Sequence, residues 1–234
     1  MFKSKWATLI AAIVLLLLAT PAIVTAATLV VDGQFNDWAD QPHVDDPVGD
    51  GPNPNSDITS FYWGTNPSED NIYWMAQRAV TSSGNPRAYF FVFLDANNNG
   101  TYTDAADRMV QAVYDPQQNS SNVVVTVFSG GGQQISQSSG DWGESVQEGG
   151  ARCEWRVSFA DLGIDARQTI SMYAGASPNG QPGNVDRVPD SGSITWTPIP
   201  ILDYTGLIIL VAIVIGVIWY VRGRFVWRRS PSGQ

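Results

Sequence analysis

The chain has 234 residues, with 22 acidic side chains against 13 basic ones and a formal net charge of −9. The imbalance is concentrated: every acid lies between Asp32 and Asp203, where seven arginines and no lysine leave a net −15. Such a surface repels phosphate backbones and excludes nucleic acid as a partner, and a single cysteine, Cys153, excludes an internal disulfide.

In chain order, Lys3 and Lys5 precede the apolar run "WATLIAAIVLLLLATPAIVTAA". A basic start, an apolar middle and small residues at the end predict a signal peptide helix over 1–26, cleaved after Val24-Thr25-Ala26. An uncleaved membrane helix is the alternative. The exported segment, 27–199, is long enough for one domain with a sizeable core.

Its apolar stretches are short and separated by Gly, Pro, Asn, Asp and Ser, which is the all-β pattern. Strands are expected at 28–33, 58–64, 71–79, 88–95, 107–115, 122–129, 151–159 and 168–176. "YFFVFL" is apolar on both faces and predicts a central strand. In "RCEWRVSF", Cys153, Trp155, Val157 and Phe159 alternate with Arg152, Glu154, Arg156 and Ser158. The first set is expected in the core and the second in solvent. "FADLGI" suits one short helical turn. "SGGGQQISQSSGDWGES" reads as a long mobile loop. Antiparallel strands that must bury one face predict a β-sandwich, jelly-roll or immunoglobulin-like, of eight to ten strands.

After the aromatic strand comes "DANNNGTYTDAADR". Asp95, Asn97, Asn99 and Gly100 match the first half of a calcium loop, D-x-[DN]-x-[DN]-G. Ca²⁺ takes six to eight hard oxygens at ~2.3–2.6 Å, and alternate side chains converge on one ion only if the chain curls. Thr101 would add its carbonyl. The residue at loop position twelve is Ala106 rather than Glu, and Asp104 and Asp107 stand in for it. Strand flanks make this a structural loop, not a sensor pair. The same residues also favour ordinary turns. A second acidic group, Asp45, Asp46, Asp50 and Asp57, reads equally well as a solvated loop.

At the other end, "YTGLIILVAIVIGVIWYV" carries no charge and nears the ~20 residues a bilayer requires. Arg222, Arg224, Arg228 and Arg229 follow, which places that end in the cytoplasm. The expected layout is signal peptide 1–26, extracytoplasmic domain 27–199, sorting motif and transmembrane helix 200–221, and basic tail 222–234.

Taken together, "VDGQFNDWAD", "SDITSFYWG", "NIYWMAQ", "YFFVFLDANNNGTYTDAADR", "EWRVSFADLGI" and "DRVPDSGS" resemble, in this order, the family 9 carbohydrate-binding-like domains and their DOMON relatives. The resemblance spans roughly residues 28 to 197. It implies a β-sandwich, structural calcium and a sugar or related small ligand. The C-terminal "IPILDYTGLIILVAIVIGVIWYVRGR" is similar to IPTL-type sorting tails of exported bacterial proteins. These usually carry Ser-x-Trp-Gly where this chain has Asp203-Tyr204-Thr205-Gly206. The similarity implies a sorting protease as a partner.

The functional expectation is a membrane-anchored binding module of the cell envelope, with Ca²⁺ as cofactor and a saccharide or related small molecule as ligand. Trp142, Trp63 and Trp74 are the candidate stacking residues. Trp142, in the Gly/Ser-rich segment, is the best of them, while Trp38 and Trp155 read as structural. The alternative is an accessory envelope protein without a small ligand. An enzyme is not expected: His43 is the only histidine, and no nucleophile–base set or zinc cluster assembles around it. Haem binding through His43 with Met75, Met109 or Met172 is a further, weaker reading.

Overall fold

The computed structural model describes residues 27–198 other than 68, 80–85 and 119–121. The expected leader, and the expected span and tail over 200–234, lie outside the described residues. Among the described residues, no helix is long and apolar enough to cross a membrane.

The chain is all-β, as the spacing of its apolar runs predicts. The strands are β1 (His43–Asp45), β2 (Ile58–Gly64), β3 (Asn71–Arg78), β4 (Ala88–Asp95), β5 (Arg108–Tyr114), β6 (Val123–Ser129), β7 (Gln134–Gly143), β8 (Arg152–Ser158), β9 (Ile170–Ser177), β10 (Asp186–Val188) and β11 (Ile194–Trp196). Helix is confined, among the described residues, to α1 (Phe159–Leu162) and three 3₁₀ turns. In α1 the Ser158 hydroxyl caps the Asp161 amide at 3.1 Å, so "FADLGI" forms its expected turn.

The strands join edge to edge in the order β1-β2-β3-β8-β7-β6-β5-β4-β9-β10, and β11 shares the outer edge of β9 with β10. Neighbours are antiparallel. The sheet curls until β10 meets β2, where the Ile58 amide donates to Asp186 Oδ2 at 2.5 Å. The result is one nearly closed, barrel-like sheet. Inside it, Trp155 of β8 stacks on Phe90 of β4, with ring centroids 6.2 Å apart and planes 16° from parallel. Trp74 packs beside Trp155 at 6.3 Å. β4 lies between β5 and β9, with Phe91 as well as Phe90 buried, so "YFFVFL" is central as expected.

Three expectations need correction. Residues 28–33 do not ladder. They run as an extended strap over the outer face of β3, where Leu29, Phe35 and Trp38 form a second small core with Tyr73 and Met75. The Gly/Ser/Gln segment expected as a mobile loop contains the ten-residue strand β7. Gln134 to Asp141 pair with β6, and Trp142 and Gly143 then pair with β8, so β7 carries the sheet from one half to the other. Gln134, Ser136, Gln137 and Ser138 face solvent or a cleft, so no apolar period marks it.

The third correction is Glu154, which is 0% exposed rather than in solvent. Oε1 accepts from the amides of Asp32 (2.8 Å) and Gly33 (2.7 Å), and Oε2 from the Trp38 indole N–H at 2.8 Å. This carboxyl nails the strap to β8. Burial pushes its pKa up to about 7, against the pull of those three donors.

Candidate metal loop and ligand cleft

Residues 96–107 connect the β4–β5 hairpin. Gly100 adopts φ +88° with open space around it, so glycine serves the turn itself. The predicted oxygens hold the curl by accepting its amides. Asp95 accepts from the amides of Asn99 (3.1 Å) and Gly100 (2.7 Å). Asn97 Oδ1 accepts from the Asn99 amide at 3.2 Å, and Asn99 Oδ1 from the Thr101 amide at 2.9 Å. The Asn99 amide nitrogen donates to Asp104 Oδ2 at 2.6 Å, and this bond lowers the Asp104 pKa.

Asp107 is the inner wall. It is 0% exposed; Oδ2 accepts from the Asp104 amide at 2.7 Å, and Oδ1 is buried with no hydrogen-bond partner. Burial raises its pKa. An orphaned carboxylate oxygen beside buried Asp95, in an all-oxygen donor set, fits a hard cation such as Ca²⁺. Asp95, Asn97, Asn99, Thr101 and Asp107 are the residues able to hold it, with Asp104 on the outer side.

The loop is firmly seated. The Ser171 hydroxyl of β9 donates to Asn98 Oδ1 at 2.5 Å, and Gln168 donates to the Ala96 carbonyl at 2.5 Å. Arg108 gives guanidinium protons to the carbonyls of Ala105, Ala106 and Asp107 at 2.8–2.9 Å. Arg108 thus closes the loop's C-terminal end without neutralising its carboxylates.

The aromatic candidates separate. Trp63 and Trp74 are 7% and 0% exposed and belong to the core, so neither offers a face to a ligand. Trp142 is half-buried on β7 and lines a hollow of about 230 Å³ with Asp32, Gly33, Asn122 and Glu148. His43 opens β1, and its ring stacks on Tyr62 at 4.7 Å. Met75 and Met172 are buried at 3% and 0% exposure. Cys153 points inward as expected, and burial raises its thiol pKa.

A larger cleft, about 530 Å³, was not foreseen. It opens where β7 parts from β8, beside the strap. Val125 and Val127 lie at its base, and Glu69, Tyr73, Asp141 and Arg156 supply polar groups. The Arg156 amide, which has no β7 partner, donates instead to Asp141 Oδ1 at 3.2 Å. The Tyr73 hydroxyl donates to Glu69, lowering the Glu69 pKa. Arg156 lies beside the same hydroxyl, which raises its pKa. Burial raises the Asp141 pKa. The cleft therefore presents an anion, a cation and hydroxyl groups above an apolar base.

No known family, curated protein or solved structure matches the chain.

Proposed function

We propose that the chain is an exported, membrane-anchored module of the cell envelope that binds a saccharide or a related small polar ligand and performs no catalysis. The observation that carries this reading is the 530 Å³ cleft between β7 and β8. Mixed donors and acceptors around an apolar base are what a polyhydroxylated ligand needs. Calcium in the 95–107 loop would hold the β4–β5 end of the domain. The signal peptide, the sorting tail with its protease and the kinship with family 9 carbohydrate-binding-like domains rest on sequence motifs. So does the finer description of the curled sheet as a jelly-roll or immunoglobulin-like sandwich.

The test is a panel of mono- and oligosaccharides offered to the full chain and to two variants. Loss of binding in Arg156→Ala locates the ligand in the cleft, and loss in Trp142→Ala locates it in the smaller hollow. No saccharide binding by the parent protein rejects the reading. The second reading, an accessory envelope protein with no small ligand, is favoured by one observation: Trp63 and Trp74 are sealed in the core.

A further inference from the structure

The sheet's seam, where β10 returns to β2, gathers carboxylates from distant parts of the chain. Asp46 and Asp50 come from the loop after β1, and Asp186 begins β10. One carboxylate oxygen from each lies within 4.8 Å of the other two. Two oxygens bound to a single Ca²⁺ stand roughly 3 to 5 Å apart, given bond lengths of ~2.3–2.6 Å. The spacing is that of a coordination shell. Asp45, grouped with these residues on sequence alone, is turned away: its side chain is 74% exposed and faces His43.

A second, independent observation points to a ligand. Asp57 is 1% exposed, and its Oδ1 has no hydrogen-bond partner. Its Oδ2 accepts from the Gly49 amide at 2.8 Å, which aims the carboxyl into the 46–50 loop. Asp46 is 9% exposed, and its Oδ2 is also buried without a partner. The loop can lie this close because Gly51 lacks a Cβ, which would stand 2.8 Å from the Asp57 Cα. Two orphaned carboxylate oxygens are costly unless something positive completes them.

The nearby arginines do not. Arg78, opposite Ile58 in the ladder, donates to the carbonyls of Asn55, Pro86 and Gly150. Arg187 donates to the carbonyls of Asp190 and Gly192, with its guanidinium over Tyr173. Among the described residues, no salt bridge reaches Asp46, Asp50, Asp57 or Asp186.

We infer that Asp46, Asp50, Asp57 and Asp186 form a second divalent-cation site, of the calcium class, that bridges the open seam between β2 and β10. The site is separate from the 95–107 loop and draws on different strands. Its role is mechanical: an ion held by both edges fastens the two ends of the curled sheet.

The experiment is a calorimetric Ca²⁺ titration of the chelator-stripped full chain, with melting temperatures recorded with and without the ion. Asp50→Asn is the main variant, because Asp50 is exposed and its loss leaves no buried gap. It should weaken one class of sites on the order of tenfold. The melting temperature of the stripped protein should not fall. Asp95→Asn reports on the other loop. If each variant removes a different bound ion, both sites stand. If Asp95→Asn alone removes all bound Ca²⁺, or Asp50→Asn binds as the parent does, the seam site is refuted and the loop survives. If Asp50→Asn takes all the binding and Asp95→Asn none, the loop is refuted and the seam stands. A parent chain that binds no Ca²⁺ overturns both.

Discussion

Glu154→Gln isolates the nail that holds the strap. In the folded protein this carboxyl titrates near 7 instead of 4.5. A raised carboxyl pKa means the folded state holds its proton more tightly than the unfolded state. The associated stability is fully present below 4.5 and is lost as pH rises through 7. At ~1.4 kcal/mol per pH unit, the loss is capped at about 3 kcal/mol and amounts to about 2.5 kcal/mol between pH 5 and pH 8. Glutamine keeps an acceptor for Asp32 and Gly33 but turns an N–H₂ toward the Trp38 indole N–H. At pH 5 the variant should therefore be about 1–3 kcal/mol less stable than the parent. On moving to pH 8 that gap should shrink by about 2.5 kcal/mol, because glutamine does not titrate. Urea unfolding of residues 27–198 at the two pH values, followed by tryptophan fluorescence, measures both quantities. Parallel pH dependence in parent and variant would refute the reasoning, since the burial cost would then lie elsewhere.

Three further outcomes are expected. Asp107→Asn should remove the loop's share of the rise in melting temperature produced by Ca²⁺, leaving the seam's share, and should leave the chelator-stripped protein as stable as the parent or more so, because a buried carboxyl is lost; thermal scans with Ca²⁺ and with chelator, beside Asp50→Asn, check this. Gly100→Ala should cost roughly 1 kcal/mol or more, because φ +88° disfavours any Cβ; chemical unfolding reads it out. Trp74→Ala should cost about 3–5 kcal/mol, and Trp74→Phe much less, since that indole N–H has no partner to lose; Trp142→Ala, measured the same way, should cost less than Trp74→Ala, because Trp142 is only half-buried.

What could be read from the sequence depended on how local the physics was. β2, β4 and β8 announce themselves, because a strand that buries one or both faces in a core must be apolar there. The 95–107 loop was equally plain, since its oxygens and its turn lie within thirteen consecutive residues. β7 was hidden: Gln134, Ser136, Gln137 and Ser138 face solvent or the cleft, so its ladder with β6 leaves no apolar period. The strap misled in the opposite sense, because Leu29 and Val31 alternate like a strand yet bury against the outside of β3. Glu154 sat on the face that period two assigns to solvent, and alternation does not reveal a second layer above it. Asp186 could not be grouped with Asp46, Asp50 and Asp57, because only the curling of the sheet brings β10 to β2. Strand order was likewise beyond the pattern: alternation marks which face of a strand is buried, not which strand lies beside it, so the near closure of the sheet through β10 and β2 had no sequence signal.

The strap also sets a timetable. A chain made from its N-terminus produces residues 28–38 first, and Glu154 follows Asp32 by 122 positions. Until β8 is complete, the Trp38 indole and the amides of Asp32 and Gly33 lack their acceptor, and β3, on which Leu29 and Trp38 settle, lacks one of its two ladder partners. The opening motif is thus among the earliest parts of the domain to be made and among the last to find its place. Any shortened product that stops before β8 leaves that apolar segment without its anchor and β3 with an unpaired edge, marking itself for aggregation or removal.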